Sequence, residues 1–232
     1  MFIGHYAVAF AAKKAAPKVS LGTLFLSVQL LDLIWPILLL FGLEHVRIQP
    51  GNTAFTPLDL YDYPISHSLL TVLLWSVLFA IIYGVARRYP RGAWILGAGV
   101  FSHWVLDYIT HGPDMPLSPW SQAKVGLGLW NSVPATIVVE GILFLVGVVL
   151  YMRSTVALDR TGRYACWSLI GFLTLSWIIN MFSPPPPNET ALAFGALAFW
   201  LIVPWGYWID RHRTATISSS IKDAQPASGE MN

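Results

Sequence analysis

The chain has 232 residues, 55% of them hydrophobic and 11% charged, where soluble domains carry about 25% charged residues; the composition argues for membrane residence and against a soluble globular domain. The net charge of +2 comes from basic residues spread through the polar connections, so no face is basic enough to read as a nucleic-acid surface. The one cysteine, Cys166, cannot form an internal disulfide and, in an apolar segment, reads as a small packing side chain.

In chain order, the apolar stretch "FIGHYAVAFAA" precedes Lys13 and Lys14 instead of following them, which is the wrong order for a cleavable signal. Residues 2–12 would make a helix only about 16 Å long, too short to cross, and Pro17 marks a break after it; a half-inserted helix anchored by the two lysines is expected. Segments of about 20 apolar residues follow at 20–43, 66–86, 92–111, 133–152, 164–183 and 190–209. The expected fold is therefore all-α and polytopic, with about six transmembrane helices in a single domain over residues 1–213. The connections 44–65 and 112–132 are long and rich in Pro, Gly, Asp and aromatic residues. Within the second, "KVGLGLWNS" lacks the spacing of a phosphate loop and reads as an interfacial aromatic anchor that could also cover a pocket. "SPPPPNET" reads as an extended connector, and residues 214–232 as a polar, disordered tail.

Charge sets the orientation. Lys13, Lys14 and Lys18 precede the first span, Arg87, Arg88 and Arg91 join the second to the third, Arg153, Arg160 and Arg163 join the fourth to the fifth, and Arg211, Arg213 and Lys222 follow the sixth, so 12 of the 14 basic residues share one side. By the positive-inside rule that side, with both termini, is expected to be cytosolic.

Ionisable groups inside spans are costly, about 2.5 to 3.5 kcal/mol for an Asp at a helix centre on insertion scales, and are functional candidates by default. Asp32 lies mid-span in "VQLLDLIWP" and Glu140 mid-span in "TIVVEGILF"; Asp32 could instead make an interhelical hydrogen bond, and Glu140 could be a structural partner. His103, Asp107 and His111 recur at every fourth position, which confines them to an arc of about 80° on one helix face. His67 opens the second span and His5 sits in the short first helix. Counted at 1.5 Å per residue from the nearest cytosolic charge, His5, His103, Asp32 and Asp107 reach depths of about 13, 18, 21 and 24 Å, and His67 and His111 about 30 Å. All six can converge on a pocket that runs from mid-membrane to the outer surface.

Four imidazoles and two carboxylates without thiolates suit a divalent metal, zinc first, with manganese or iron as alternatives. Asp107 could bridge two ions, since its oxygens can bind separately, and cations would compensate the buried carboxylates. Ser66, Ser68 and Ser102 each neighbour a histidine in sequence, but adjacent helical residues point about 100° apart and nothing completes a triad. Asp114 could reach the outer mouth or simply form the turn after Pro113.

The early "GHYAVAF", the intramembrane Asp32, "SHSL" around His67 and "SHWVLDYITHGPDMPL" together resemble the bacterial membrane-bound, metal-dependent hydrolase family that includes LexA-regulated inner-membrane proteins. The resemblance spans residues 1–155. That family looks like a distant relative of zinc-dependent phospholipase C, an all-helical phosphodiesterase. The likeness implies that Asp32, His67, His103 and Asp107 hold a first metal, that Asp107 bridges to a second near His5, and that His111 serves a further site. The phospholipase pattern completes this last site with His-x-x-x-Glu, whereas this chain has Thr136 and Glu140, so one or two metals are implied rather than three.

The expected function is a metal-dependent hydrolase acting on a phosphoester of a lipid or other amphiphile, with Asp32 or Glu140 accepting the proton of the attacking water and Asp32 better suited to be a ligand. A proton- or ion-coupled transporter using the same polar residues is the alternative, and a metal that only ties the helices together is a third reading.

Overall fold

The first helix in chain order, α1 (Ile3–Ala15), is followed by helices that mostly start at a polar cap. Ser20 opens α2 (Leu21–Val28), which is succeeded by α3 (Leu30–Leu40) and the single turn α4 (Pro64–His67). Ser68 then opens α5 (Leu69–Arg87), Pro90 is the first residue of α6 (Pro90–Thr110), Ser132 opens α7 (Val133–Ser154), Asp159 opens α8 (Arg160–Phe182) and Asn188 opens α9 (Glu189–Leu197). Each Ser, Asp or Asn cap accepts the backbone N–H three residues on, satisfying one of the amides a helix start leaves without a partner. A 3-10 turn and α10 (Ile202–Arg211) complete the helices. The computed structural model describes residues 1–216.

Four of these helical stretches are long and apolar enough to cross a membrane: α5, α7, α8 and the run Glu189–Arg211. The pair α2 and α3 makes a fifth if taken as one span, although it is bent by 57°. The sequence reads this segment as one continuous crossing; the hydropathy is continuous, but the backbone turns at Gln29, whose φ and ψ of −105° and 3° leave the helical region. The segment expected at 92–111 forms α6, 21 residues long, but its polar stripe leaves it outside the set of sufficiently apolar helices. Apolar side chains of α5 such as Leu74, Val77, Ile81, Ile82 and Val85 point outward, as a lipid-facing surface requires.

α1 is central rather than peripheral. It packs most extensively on α7 and also on α2 and α6, burying Ile3, His5, Tyr6, Ala9 and Phe10. Its 13 residues reach only about 20 Å, short of the roughly 30 Å hydrocarbon layer. Lys13, expected as a surface anchor, is buried: its Nζ lies 3.0 Å from Asp210 Oδ1 and donates to the Val19 carbonyl at 2.7 Å. The carboxylate on α10 supplies the partner that allows this charge to leave water.

Among the described residues three two-stranded antiparallel ribbons sit outside the helices, so the fold is mostly helical rather than wholly so. β1 (His45–Ile48) pairs with β2 (Leu58–Asp62), and β3 (Met115–Pro116) with β4 (Lys124–Val125), giving hairpins in the two long connections. β5 (Thr155–Ala157) pairs with β6 (Arg213–Ala215). The boundary drawn at 213/214 therefore falls inside β6, and the disorder expected for the tail concerns mainly residues 217–232, which lie outside the described residues.

The contact between α1 and α7 depends on Gly147, where a Cβ would run into the backbone of Ala7. Gly147→Val should destabilise the protein by about 1–3 kcal/mol through overpacking and lower its thermal midpoint in detergent. Gly171→Ala, at a position where a Cβ meets nothing within 4 Å, should leave that midpoint unchanged or slightly raised.

Candidate metal centre

The bend at Gln29, the last turn of α6, and the short turn ahead of α5 all end on one buried carboxylate. Asp107, on α6, has a side chain only 3% exposed. Its Oδ2 lies 3.0 Å from His103 Nε2 and 3.8 Å from His67 Nε2. Its Oδ1 lies 3.1 Å from His5 Nε2 and 3.9 Å from His111 Nε2, with the Met1 amino nitrogen at 2.6 Å. Asp32, in the first turn of α3, completes the Oδ2 side: its Oδ1 is 3.5 Å from His67 Nε2 and 3.6 Å from His103 Nε2. All six residues expected from the sequence as ligands are thus brought together. The other two of the chain's 6 histidines, His45 and His212, pair elsewhere with Asp62 and Asp159.

Outer partners fix how three of the rings point. The His103 Nδ1–H donates to the Val28 carbonyl at 2.7 Å; a carbonyl only accepts, so Nδ1 carries the proton and Nε2 faces Asp107 as a lone pair. The break after α2 makes this possible, since Val28 is the last residue before the chain turns. His67 Nδ1 meets Ser66 Oγ at 2.6 Å, and that hydroxyl donates to Glu44 Oε2 at 2.6 Å, which leaves Nδ1 as the donor. His111, the C-cap of α6, directs Nδ1 at Asp114 Oδ1, 3.1 Å away. Ring nitrogens held from behind by a carbonyl or carboxylate are characteristic of metal-ligating histidines.

This arrangement presents lone pair to lone pair. The Nε2 atoms of His103, His67 and His111, protonated at Nδ1, face carboxylate oxygens, which only accept. His103 Nε2 is buried with no hydrogen-bond partner among the described residues, while Asp107 Oδ1 also accepts from the Met1 ammonium at 2.6 Å and meets His5 Nε2 at 3.1 Å. A cation between them satisfies both sides. The chemistry of the set, four imidazoles and two carboxylates in an interior that otherwise penalises charge, fits a divalent metal.

Sequence reasoning missed the support around these residues. Glu44 is fully buried and accepts from the Ile65 and Ser66 amides at 2.7 and 2.8 Å; burial pushes its carboxyl above the ordinary value while the Ser66 donors oppose the shift. Ser66 and His67 were expected to point apart, yet they touch, because α4 is a single turn and not the interior of a long helix. The Ser66 proton goes to Glu44, which suits a positioning role and not a nucleophile. Tyr63 donates to Asp114 Oδ1 at 3.1 Å, and burial, then the Asp114 charge, hold its phenol well above the usual range, so it stays a donor.

"KVGLGLWNS" closes over the end of α6. The Leu127 and Gly128 amides donate to the Tyr108 and His111 carbonyls at 2.8 and 2.6 Å, and the Trp130 ring lies 4.2 Å from that of His111. Gly126, at φ 157°, passes so close to Gly112 that a Cβ would strike its carbonyl. Behind this cover a cavity of about 180 Å³ is lined by Asp32, His67, Asp107, His111, Tyr63 and Trp130, among others. The side chain of Asp32 is 42% exposed and faces this space.

Glu140 occupies a different position. Its Oε2 accepts the amides of Phe2 and Ile3 at 3.0 and 3.1 Å, so it caps the start of α1 two residues before His5. Thr136 turns back onto its own helix entry, donating to the Leu129 and Ser132 carbonyls.

The family model of the YdjM inner membrane protein matches residues 64–185, more than half of the chain. The chain belongs to the YdjM inner membrane protein family. With its apolar helices, this makes it a multi-pass protein of the inner membrane. The match with the YdjM model takes in His67, His103, Asp107, His111 and Glu140, whereas His5 and Asp32 lie before it. No curated protein and no solved structure matches the chain, so within this YdjM relative the hydrolase reading and the phospholipase likeness rest on the residues alone.

If Glu140 is a cap, Glu140→Leu should leave two buried amides without an acceptor, costing at least about 2 kcal/mol, and should lower the thermal midpoint in detergent. Glu140→Gln, which keeps an acceptor oxygen, should recover most of the loss.

Proposed function

We propose that this protein is an inner-membrane, metal-dependent hydrolase acting on a phosphoester of a lipid or other amphiphile. The observation that carries the reading is the convergence of Nε2 atoms on both oxygens of buried Asp107, with His103 Nε2 left without a partner. Asp32, His67, His103 and Asp107 would hold one ion, and Asp107 with His5 a second, with His111 3.9 Å from Asp107; zinc suits this donor set best. A metal held there supplies Lewis-acid charge for phosphoryl oxygens and a bound water acidified toward neutrality.

The chain's own residues provide the rest. Asp32 is open to the cavity and can accept a proton from water there as well as bind metal. Glu140, read from the sequence as the proton acceptor, is better suited to positioning His5 through α1. Space for an apolar chain adjoins the site: a second cavity of about 160 Å³, walled by Leu33, Leu192, Ala196 and Phe199, shares Phe2, Asp32 and Trp35 with the first. A headgroup at Asp32 with a tail between α3 and α9 fits this pair of spaces.

The orientation follows the charge distribution: six crossings, counting α6 and the bent pair, with α1 half-inserted, both termini cytosolic and the metal centre opening to the outer side. A second reading, an ion-coupled transporter, draws on the broken α2–α3 pair beside the site, because discontinuous helices line many transport sites. Ion-dependent uptake into proteoliposomes without product formation would favour it.

Protein purified without chelators should contain one to two equivalents of metal by elemental analysis, and His103→Ala and Asp107→Ala should lose both metal and phosphodiester cleavage on a phospholipid panel. Ser66→Ala should retain the ligands but weaken metal affinity about 10- to 100-fold, as loss of an outer partner does. A metal-free wild type would overturn the proposal.

A further inference from the structure

The two ends of α5 serve different chemistry. His67 precedes its first turn, whereas Arg87 closes its last, and its 19 residues separate them by about 27 Å. At the Arg87 end lies a cavity of about 760 Å³ between α1, α2, α5 and α10, larger than the space at the metal centre.

Its charge is one-sided. Lys13, Lys18, Arg87 and Arg213 line it, against one carboxylate, Asp210. That carboxylate is already engaged: it pairs with Lys13 at 3.0 Å and accepts the Leu21 amide. Arg213 is held by the carbonyl and hydroxyl of Thr155. Lys18 and Arg87 are exposed and have no carboxylate within ion-pair distance among the described residues. A neighbouring cavity of about 300 Å³ shares Lys18, Tyr83 and Arg87 and adds Arg88, so three cations converge without an anion. Arg88 ends α5 in the left-handed conformation, φ 47°, with its amide on the Gly84 carbonyl at 2.9 Å, as helix C-termini often do.

Hydroxyls and an apolar wall complete the cavity. Ser20, Thr23 and Tyr207 form a chain of hydroxyl contacts at 2.7 and 2.9 Å, while Leu26, Phe79 and Ile82 extend from the polar end toward the outward face of α5. Cations and hydroxyls beside a lipid-facing apolar wall match an anion attached to acyl chains; basic pockets between helices near the cytosolic surface recognise lipid headgroups in this way.

We propose that this cavity is a binding site for an anionic phospholipid, held by its phosphate between Lys18, Arg87 and the Ser20–Thr23–Tyr207 hydroxyls, with its acyl chains along Leu26, Phe79 and Ile82. The site is separate from the metal centre and does not depend on hydrolytic activity.

The test is native mass spectrometry of the full chain in detergent, titrated with dioctanoyl phosphatidylglycerol, dioctanoyl phosphatidylcholine or inorganic phosphate. Phosphatidylglycerol should bind saturably, at least 10-fold tighter than phosphatidylcholine and than phosphate. Lys18→Ala combined with Arg87→Ala should weaken it by roughly 30-fold, from about tenfold or less per cation near a membrane surface; Lys18→Arg with Arg87→Lys should retain it. Both positions are exposed, and an unchanged thermal midpoint without lipid checks that the fold survives. Equal binding of the two lipids, or an unaffected double alanine variant, overturns the proposal, and phosphate binding as tightly as phosphatidylglycerol replaces the lipid with a soluble anion.

Discussion

A buried carboxylate must find positive charge or donors, and the structure depends on how Asp107 meets this demand. Four elements that are distant in sequence deliver an imidazole nitrogen or a second carboxylate to it: α1 through His5, α3 through Asp32, the turn before α5 through His67, and α6 through His103 and His111. An ionised side chain inside a low-dielectric bundle costs several kcal/mol unless it is compensated. Metal binding would therefore be coupled to the packing of these elements as well as to any chemistry.

The same demand accounts for features that otherwise look like defects. The backbone turns at Gln29, and the Val28 carbonyl at the end of α2 becomes the acceptor that orients His103. The chain after α3 carries Glu44 back into the interior, where it holds Ser66 and so fixes His67. Glycine at 126 lets the loop over α6 approach closely enough for its neighbours' amides to secure the carbonyls of Tyr108 and His111. Glu140 accepts the first amides of α1, two residues before His5. Irregular backbone is tolerated at membrane depth where it lines a cavity, and here the irregularities gather around one.

Much of this was legible in the sequence because it has a period or a price in lipid. The fourfold spacing of His103, Asp107 and His111 put them on one face, and Asp32 and His5 stood out as polar groups in apolar surroundings. The bend between α2 and α3 was not legible, since an unbroken apolar run gives no sign of a turn whose reason is a histidine 75 residues away. Glu44 looked like an ordinary loop residue, because nothing local links it to Ser66. The burial of α1 was also hidden: length showed that it cannot span, but not that α7 would enclose it.

The central claim, which rests on the proposed function, is that Asp107 is a metal ligand. Crystals of the full chain grown with zinc, measured on both sides of the zinc absorption edge, test it most directly. The account predicts one or two anomalous peaks bonded to Asp107, the first with His67 and His103 and any second with His5. Zinc-grown crystals with an ordered Asp107 and no anomalous peak bonded to it would contradict the account.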